Sequence, residues 1–398
     1  MKKLLTVLLL LSASALLFAA ASYHVGIVTG TVSQAEDSLR GAEALIAEYG
    51  SASEGGIIRH ATYPDNFMDE QETTISIITG LADDPLMRAI IVNQGIPGTA
   101  EAFRQIKERR PEIICISGQA NEEPYLISDI ADLAMVDDFI ARGYLMLKTA
   151  HDLGIKTFLH VSFPRHLAME RMQRRRAVML EAAKEFGIEF IDISSPDPTS
   201  DVGVAGAQQY ILENTPVWVA QYGPEVALFT TNDAQKEPML RQLMKYGGYY
   251  IEGDSPIIGF PGALGLDLSA QAGDFPAILK RVEEAVVEQG GAGRFATWAF
   301  SVDYTMSAGL GQLAIDAIEA ADSGKRFEVN SIRNIQKAFA KYSPGAQWNG
   351  SYYVDATTGV NYRNYVLIYE DTYILGGQGY LGNTSVEVPE KYFYISGK

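Results

Sequence analysis

Several short apolar runs of this chain end in residues able to hydrogen-bond a small molecule. The first, residues 24–30, closes on Thr29 and Gly30 and leads to Thr31 and Ser33. Hydroxyls and free N–H groups at a helix start suit a carboxylate, a phosphate or a hydroxyl-rich ligand; a plain helix cap at Thr31 or Ser33 fits equally well. Two later runs end in Asn93-Gln94-Gly95 and Ser117-Gly118-Gln119. Their amides both donate and accept, as a neutral polar ligand requires. His160, Ser162 and Arg165 end or follow another run, and Arg171, Arg174 and Arg175 share a face of the next helix by i, i+3 and i+4 spacing. A solvated helix face has the same look. Asn232 and Asp233 follow residues 226–230, either as ligand partners or as caps of the next helix. Asp303 stands after residues 295–302, where it can accept ligand hydroxyls. Phe260, Trp298 and Phe300 offer a stacking wall or simply core.

Reaction motifs are missing from the sequence. It has no G-x-S-x-G elbow, no H-E-x-x-H, no Gly-rich Lys-Ser/Thr loop and no cysteine pair. Gly26 and Gly30 are too far apart for a dinucleotide fingerprint. The five histidines are scattered, and His160 and His166 lie six apart across a proline, which is not a helical metal spacing. The expectation is a binding protein rather than an enzyme, with no cofactor and no metal.

Alternating elements must hold these residues. Strand-like runs at 24–30, 56–63, 89–93, 113–117 and 134–137 alternate with amphipathic helical segments at 34–49, 69–81 and 99–109. Continuous apolar strands alternating with helices are the sequence form of a parallel sheet covered on both faces. A helix at 139–153 opens a second series, with strands at 157–161, 189–193, 226–230, 249–251 and 295–302. Helices fall near 167–186, 205–221, 236–246, 275–289 and 307–321. From about Asn330 the character changes: ten of the 21 tyrosines lie there, with an alternating stretch at 362–375, which is β-hairpin composition.

The first residues bear on location. Lys2 and Lys3 precede an apolar run from Leu4, and the small trio Ala19-Ala20-Ala21 stands before Ser22, the pattern of a secretory signal peptide over residues 1–21. The run is short for a membrane span. No cysteine stands near the cleavage point, so a periplasmic or otherwise secreted protein that is not a lipoprotein is expected. The lone Cys115 sits in an apolar run and reads as a small buried hydrophobe. A formal charge of −17 speaks against nucleic acid and anionic membrane surfaces as partners.

The order of segments resembles a known family. "HVGIVTG" opens the mature chain, and "DLAMVDDFIARGYLMLKTAHDLGIKTFLHV" follows about 100 residues later. An Arg-bearing helix, "ALFTTNDAQKEPMLRQLMKYG" and "FATWAFSVDYTMSAGLGQLAIDAIEAADSGK" complete the set. This layout is similar to that of type I periplasmic solute-binding proteins, relatives of the sugar-binding and basic-membrane-lipoprotein (nucleoside-binding) receptors, over residues 24–326. The fold also serves the ligand-sensing half of some repressors. The glycine that often follows the second-lobe arginine in sugar receptors is absent from "RRRAVML", which points away from a pentose or hexose site and toward a branch without an assigned ligand.

The resemblance implies two doubly wound parallel-sheet lobes joined by a hinge. Lobe 1 would hold residues 22–137, completed by 304–326, and lobe 2 residues 138–303; three strands would cross between them. Residues 327–398 would form an aromatic, β-rich C-terminal extension. The ligand, nucleoside-, sugar- or cyclic-metabolite-like, would be trapped by hinge closure and delivered to a membrane ABC permease. A receptor subunit for a membrane kinase or chemoreceptor is the alternative; an envelope hydrolase comes third. An arginine of the 171–175 helix would grip the ligand, as in the resembled receptors, and Asn232 and Asp233 occupy a family-like position.

Overall fold

The computed structural model describes residues 21–397, so the signal-peptide expectation lies, but for its last residue, outside the described residues. Strands β1 (His24–Thr29), β2 (Ile58–Thr62), β3 (Met87–Asn93), β4 (Ile114–Gly118) and β5 (Leu133–Asp137) are joined by helices and run parallel. Their unbroken apolar runs are what a sheet covered on both faces needs: Ile90, Ile91 and Val92 in β3 are all fully buried. The second series gives β6 (Thr157–Ser162), β7 (Glu189–Ser194), β8 (Val226–Thr230) and β9 (Tyr249–Tyr250), a parallel sheet ordered β7-β6-β8-β9. Two α/β lobes result, each built on its own sheet, and the larger hydrophobic core runs from the first lobe into the second, where it takes in Phe158, Val178 and Phe229.

The C-terminal region carries the expected β strands packed on the main body, and goes further by joining the first sheet. It begins with a helix, Ile332–Tyr342, unforeseen in the sequence, and continues as β11 (Trp348–Val354) and β12 (Asn361–Glu370) after the short β10 (Ala296–Trp298). β12 pairs in parallel with β5, Tyr365 opposite Ala134 and Ile368 opposite Asp137. The first sheet therefore has seven strands, ordered β11-β12-β5-β4-β3-β1-β2. The cause is in β12 itself: Val366, Leu367 and Ile368 are consecutive and buried, so both faces of that strand are covered. β13 (Thr372–Ile374) then pairs antiparallel with β10 and with β14 (Gly379–Tyr380). Leu375 packs into the second lobe's core.

The chain thus passes between the lobes at 137–139, at 298–302 and at 370–372. Here the expected strand at 295–302 is corrected. Only Ala296–Trp298 is extended, because the amides of Ala299 and Phe300 are taken by the buried Glu370 carboxylate (3.0 and 3.2 Å). Ser301 then caps a helix running from Val302 to Asp322, with its Oγ accepting from the Tyr304 amide. Asp303 sits in the first turn of that helix rather than beyond a strand. The helix Val32–Tyr49 lies against it so closely that a Cβ on Gly41 would stand 2.3 Å from the Tyr304 carbonyl oxygen. That contact brings Asp37 and Asp303 to the same place.

Candidate functional site

The carboxyl ends of both parallel sheets face each other across a cleft, where open α/β sheets bind ligands. A cavity of about 450 Å³ fills it. Lobe 1 contributes Gln94 after β3, Gln119 after β4, Asp137 at the end of β5, Asp37, and Ser301 and Asp303 at the returning helix. From lobe 2 come Arg165 and His166 after β6, Arg171 and Arg175 on the helix Glu170–Phe186, Thr231, Asn232 and Asp233 after β8, Lys236, and Asp254 after β9. Arg142, on the crossing helix Phe139–Asp152, lies between them.

Most of these charges are already matched. Arg142 Nη1 meets Asp137 at 2.5 Å, Nε meets Glu252 at 3.1 Å, and Nη2 lies 3.6 Å from Asp254. Its guanidinium also rests 4.9 Å from the Trp298 ring centre. Burial works against the Lys236 ammonium, but Asp233 (2.7 Å) and Asp254 (2.5 Å) outweigh it and hold its pKa above the usual lysine value. Arg165 forks onto Asp197 at 2.7 and 3.0 Å. His166 bonds the Thr231 hydroxyl at 3.1 Å; burial, then Arg165 and Arg175, pull it down to about 4, so it is neutral.

Three groups are not matched. Among the described residues neither Arg171 nor Arg175 forms an ion pair, and the Nε of each is buried without a hydrogen-bond partner. Arg175 is 4% exposed; its Nη2 reaches the Met172 sulfur at 3.1 Å and its carbon lies 5.1 Å from the Phe229 ring centre. Burial, then the neighbouring Arg142, lower its pKa to about 10. On the opposite wall Asp303 accepts from Gln94 Nε2 at 3.0 Å through Oδ2, while Oδ1 is buried without a partner. Burial pushes Asp303 up to about 7, with Asp37 and Asp254 adding to the rise, and Asp37 is likewise pushed to about 6.

A pH signature follows. Both raised carboxyls bind protons more tightly in the folded chain, so their stabilising effect is complete below about pH 4 and lost as pH rises through 6 to 7. Asp303→Asn removes the cost of a buried carboxylate. The unliganded variant is expected to be more stable than wild type at about pH 8, by on the order of 2 kcal/mol after screening by cleft solvent, and level with it only near about pH 4. Parallel melting curves at the two pH values check this.

Of the residues singled out in the sequence, Gln94, Gln119, Arg165, Arg175, Asn232, Asp233 and Asp303 line the cavity. Asn232 spends its Oδ1 on capping the Ala234 amide (3.0 Å), and Asp233 on Lys236. The others stand elsewhere. Thr29 is buried beside His60 (2.8 Å), and Thr31 and Ser33 hold Asp65 at the outer rim. Gly118 packs under Asn93 and Leu310, and Ser162 lies beneath the floor, bonded to Thr231 at 2.8 Å. Phe260 is core of lobe 2. Arg174 turns away from the cleft onto the carbonyls of Val354, Phe393 and Ile395. Residues overlooked in the sequence are Asp37, Asp137, Arg142, His166, Lys236 and Asp254. The strand-end rule itself points to Asp137; nothing local marks Asp37 or Arg142.

Two doubly wound lobes joined by three crossings around a polar cleft define the fold of type I periplasmic binding proteins, with a C-terminal β addition. Residues 23–296 match the family model described as "Protein of unknown function (DUF3798)", and the chain belongs to that family. A second family model matches residues 307–395. An uncharacterized protein of Treponema pallidum (strain Nichols) is 42% identical over 178 residues, covering 44% of this chain and 80% of its own length. Another from the same organism is 33% identical over 207 residues, covering 52% and 94%. Among solved structures, a Clostridium difficile 630 protein named as a candidate transcriptional regulator superposes with a TM-score of 0.79 at 21% identity, over 89% of this chain and all of that one. A sugar ABC transporter protein of Actinomyces odontolyticus ATCC 17982 gives 0.50 at 13% identity, over 77% and 85%. These likenesses concern the fold. No helix among the described residues is long and apolar enough to cross a membrane.

Proposed function

We propose that this chain is an exported solute-binding protein that captures a small polar ligand between its lobes and presents it to a membrane ABC importer. One observation carries the reading: a cleft cavity lined from both lobes by hydrogen-bonding groups, some of them buried without partners. Such a surface has no use in a rigid scaffold, since an unmet buried polar group is destabilising until something pairs with it. A ligand touching both walls stabilises the closed state by its differential affinity alone, and no bond need be made or broken. Export is read from residues 1–21, and the mature chain then begins near Ser22.

Mass spectrometry of compounds released from the purified, denatured protein identifies the ligand, and small-angle scattering follows its re-addition. The expected result is a modest compaction on binding, and a mature N-terminus near Ser22 in envelope-fraction protein. An unchanged scattering profile at saturation would refute closure, and a cytosolic chain still starting at Met1 would refute export.

A further inference from the structure

The cavity is polar in an uneven way, and the unevenness specifies what it holds. At one end stand two guanidinium groups, Arg171 and Arg175, neither facing a carboxylate within ion-pair reach. Asp137 lies in the field of both but touches only Arg142. Arg142, Lys236 and Arg165, lining the same cavity, each have at least one acid in contact. A buried guanidinium with an unused N–H is a poor resting state, because its desolvation is returned only by an anion placed against it. At the other end Asp303 keeps an unpaired Oδ1 beside Gln94, close to Asp37 and Ser301, a set that takes up O–H or N–H donors.

We propose that the captured solute is a small organic anion whose carboxylate or phosphate seats on Arg171 and Arg175, with its hydroxyl- or amine-bearing end on Asp303 and Gln94. This rests on the solute-binding reading and narrows it. Arg175 is the specificity-determining residue: the aromatic face of Phe229 and the Met172 sulfur support the guanidinium without neutralising it. Planar N–H groups can then meet two oxygens of one anion at once. A neutral sugar of the same size would leave the charge unmet.

The test is a melting-temperature titration of the full mature chain at fixed ionic strength with three probes: inorganic phosphate, D-galacturonate and D-galactose. Wild type is expected to show a saturable rise of roughly 3 °C or more with at least one of the two anions and none with D-galactose. The responding arm distinguishes a phosphate from a carboxylate. Arg175→Met should lose the rise while melting no lower than wild type in the absence of anion, since it removes an unpaired buried charge. Arg171→Met, at a partly exposed residue with no hydrogen bond to lose, keeps the fold and should weaken the same response at least about tenfold in midpoint. The proposal is overturned if D-galactose stabilises as well as D-galacturonate, if neither anion acts on wild type, or if both variants respond unchanged, which marks an adventitious ion. A neutral compound recovered from the denatured protein would overturn the anion and leave solute capture standing. Recovery of no compound, with scattering indifferent to every solute tried, would remove solute capture itself.

Discussion

Arg142→Met is expected to lower stability by about 3–5 kcal/mol, because it strands Asp137 and Glu252 around one vacated position, while Asp254 keeps Lys236. Asp137 ends a lobe 1 strand, while Glu252 and Asp254 follow β9 of lobe 2, and the single guanidinium between them is almost wholly buried. Burial opposes the Asp137 charge, yet Arg142, with Arg171 and Arg175 behind it, keeps that carboxyl below its usual range. Glu252 is pushed up to about 7 by burial even with Arg142 against it. Without the arginine, Asp137 and Glu252 have no counter-charge between them, and each must either bind a proton or bear an unpaired buried charge. Arg142→Lys should recover only part of the loss: a point ammonium cannot meet Asp137, Glu252 and Asp254 in three directions or lie flat on Trp298. Urea melts of the three proteins at pH 7 measure this. A loss under about 1 kcal/mol in Arg142→Met would show that the acids are already neutral and the network adds little.

That network also marks where a sequence stops being readable. Strands β3 and β4 announce themselves as apolar runs, and the rule that ligands sit beyond strand ends then points to Gln94, Gln119, Asn232 and Asp233, which line the cavity, whereas Asp303 reaches it from a helix turn. Arg142 is hidden because its neighbours in Phe139–Asp152 are mostly apolar and buried, so the helix reads as core, while its partner Glu252 is 110 residues away. Asp37 reaches the cleft only because Gly41 lets two helices touch that are separated by some 250 residues of chain. In the tail, tyrosines at alternating positions suggest a β-hairpin extension. The fully apolar Val366-Leu367-Ile368 is the sign of an internal strand, but nothing local says that its partner is β5. Periodicity shows which face is buried. It does not show against what.

Two of the four arginines on the helix Glu170–Phe186, Arg174 and Arg175, sharpen this point, and Arg174 carries the second large effect. Successive helical residues point about 100° apart, so Arg174 and Arg175 serve different sides of one helix. Arg174 is 2% exposed and donates to the carbonyls of Val354 (3.0 Å), Phe393 (2.8 Å) and Ile395 (3.2 Å), with the rings of Phe139 and Tyr353 within 6 Å. It is the pin that holds the end of the C-terminal segment against lobe 2. Lys391 and Tyr392 add contacts to Glu185 at 2.7 and 2.9 Å. Removing the pin leaves three carbonyls unpaired, at about 1–3 kcal/mol for each one that water does not reach. Arg174→Ala is therefore expected to cost on the order of 3 kcal/mol or more and to free residues 386–397, seen as faster amide exchange there than in the rest of the chain. Solute affinity should stay within about threefold of wild type, the reverse of the expected behaviour at Arg175. If Arg174→Ala instead weakened binding tenfold with exchange unchanged, the helix would be rotated relative to this account, and the cleft would belong to Arg174.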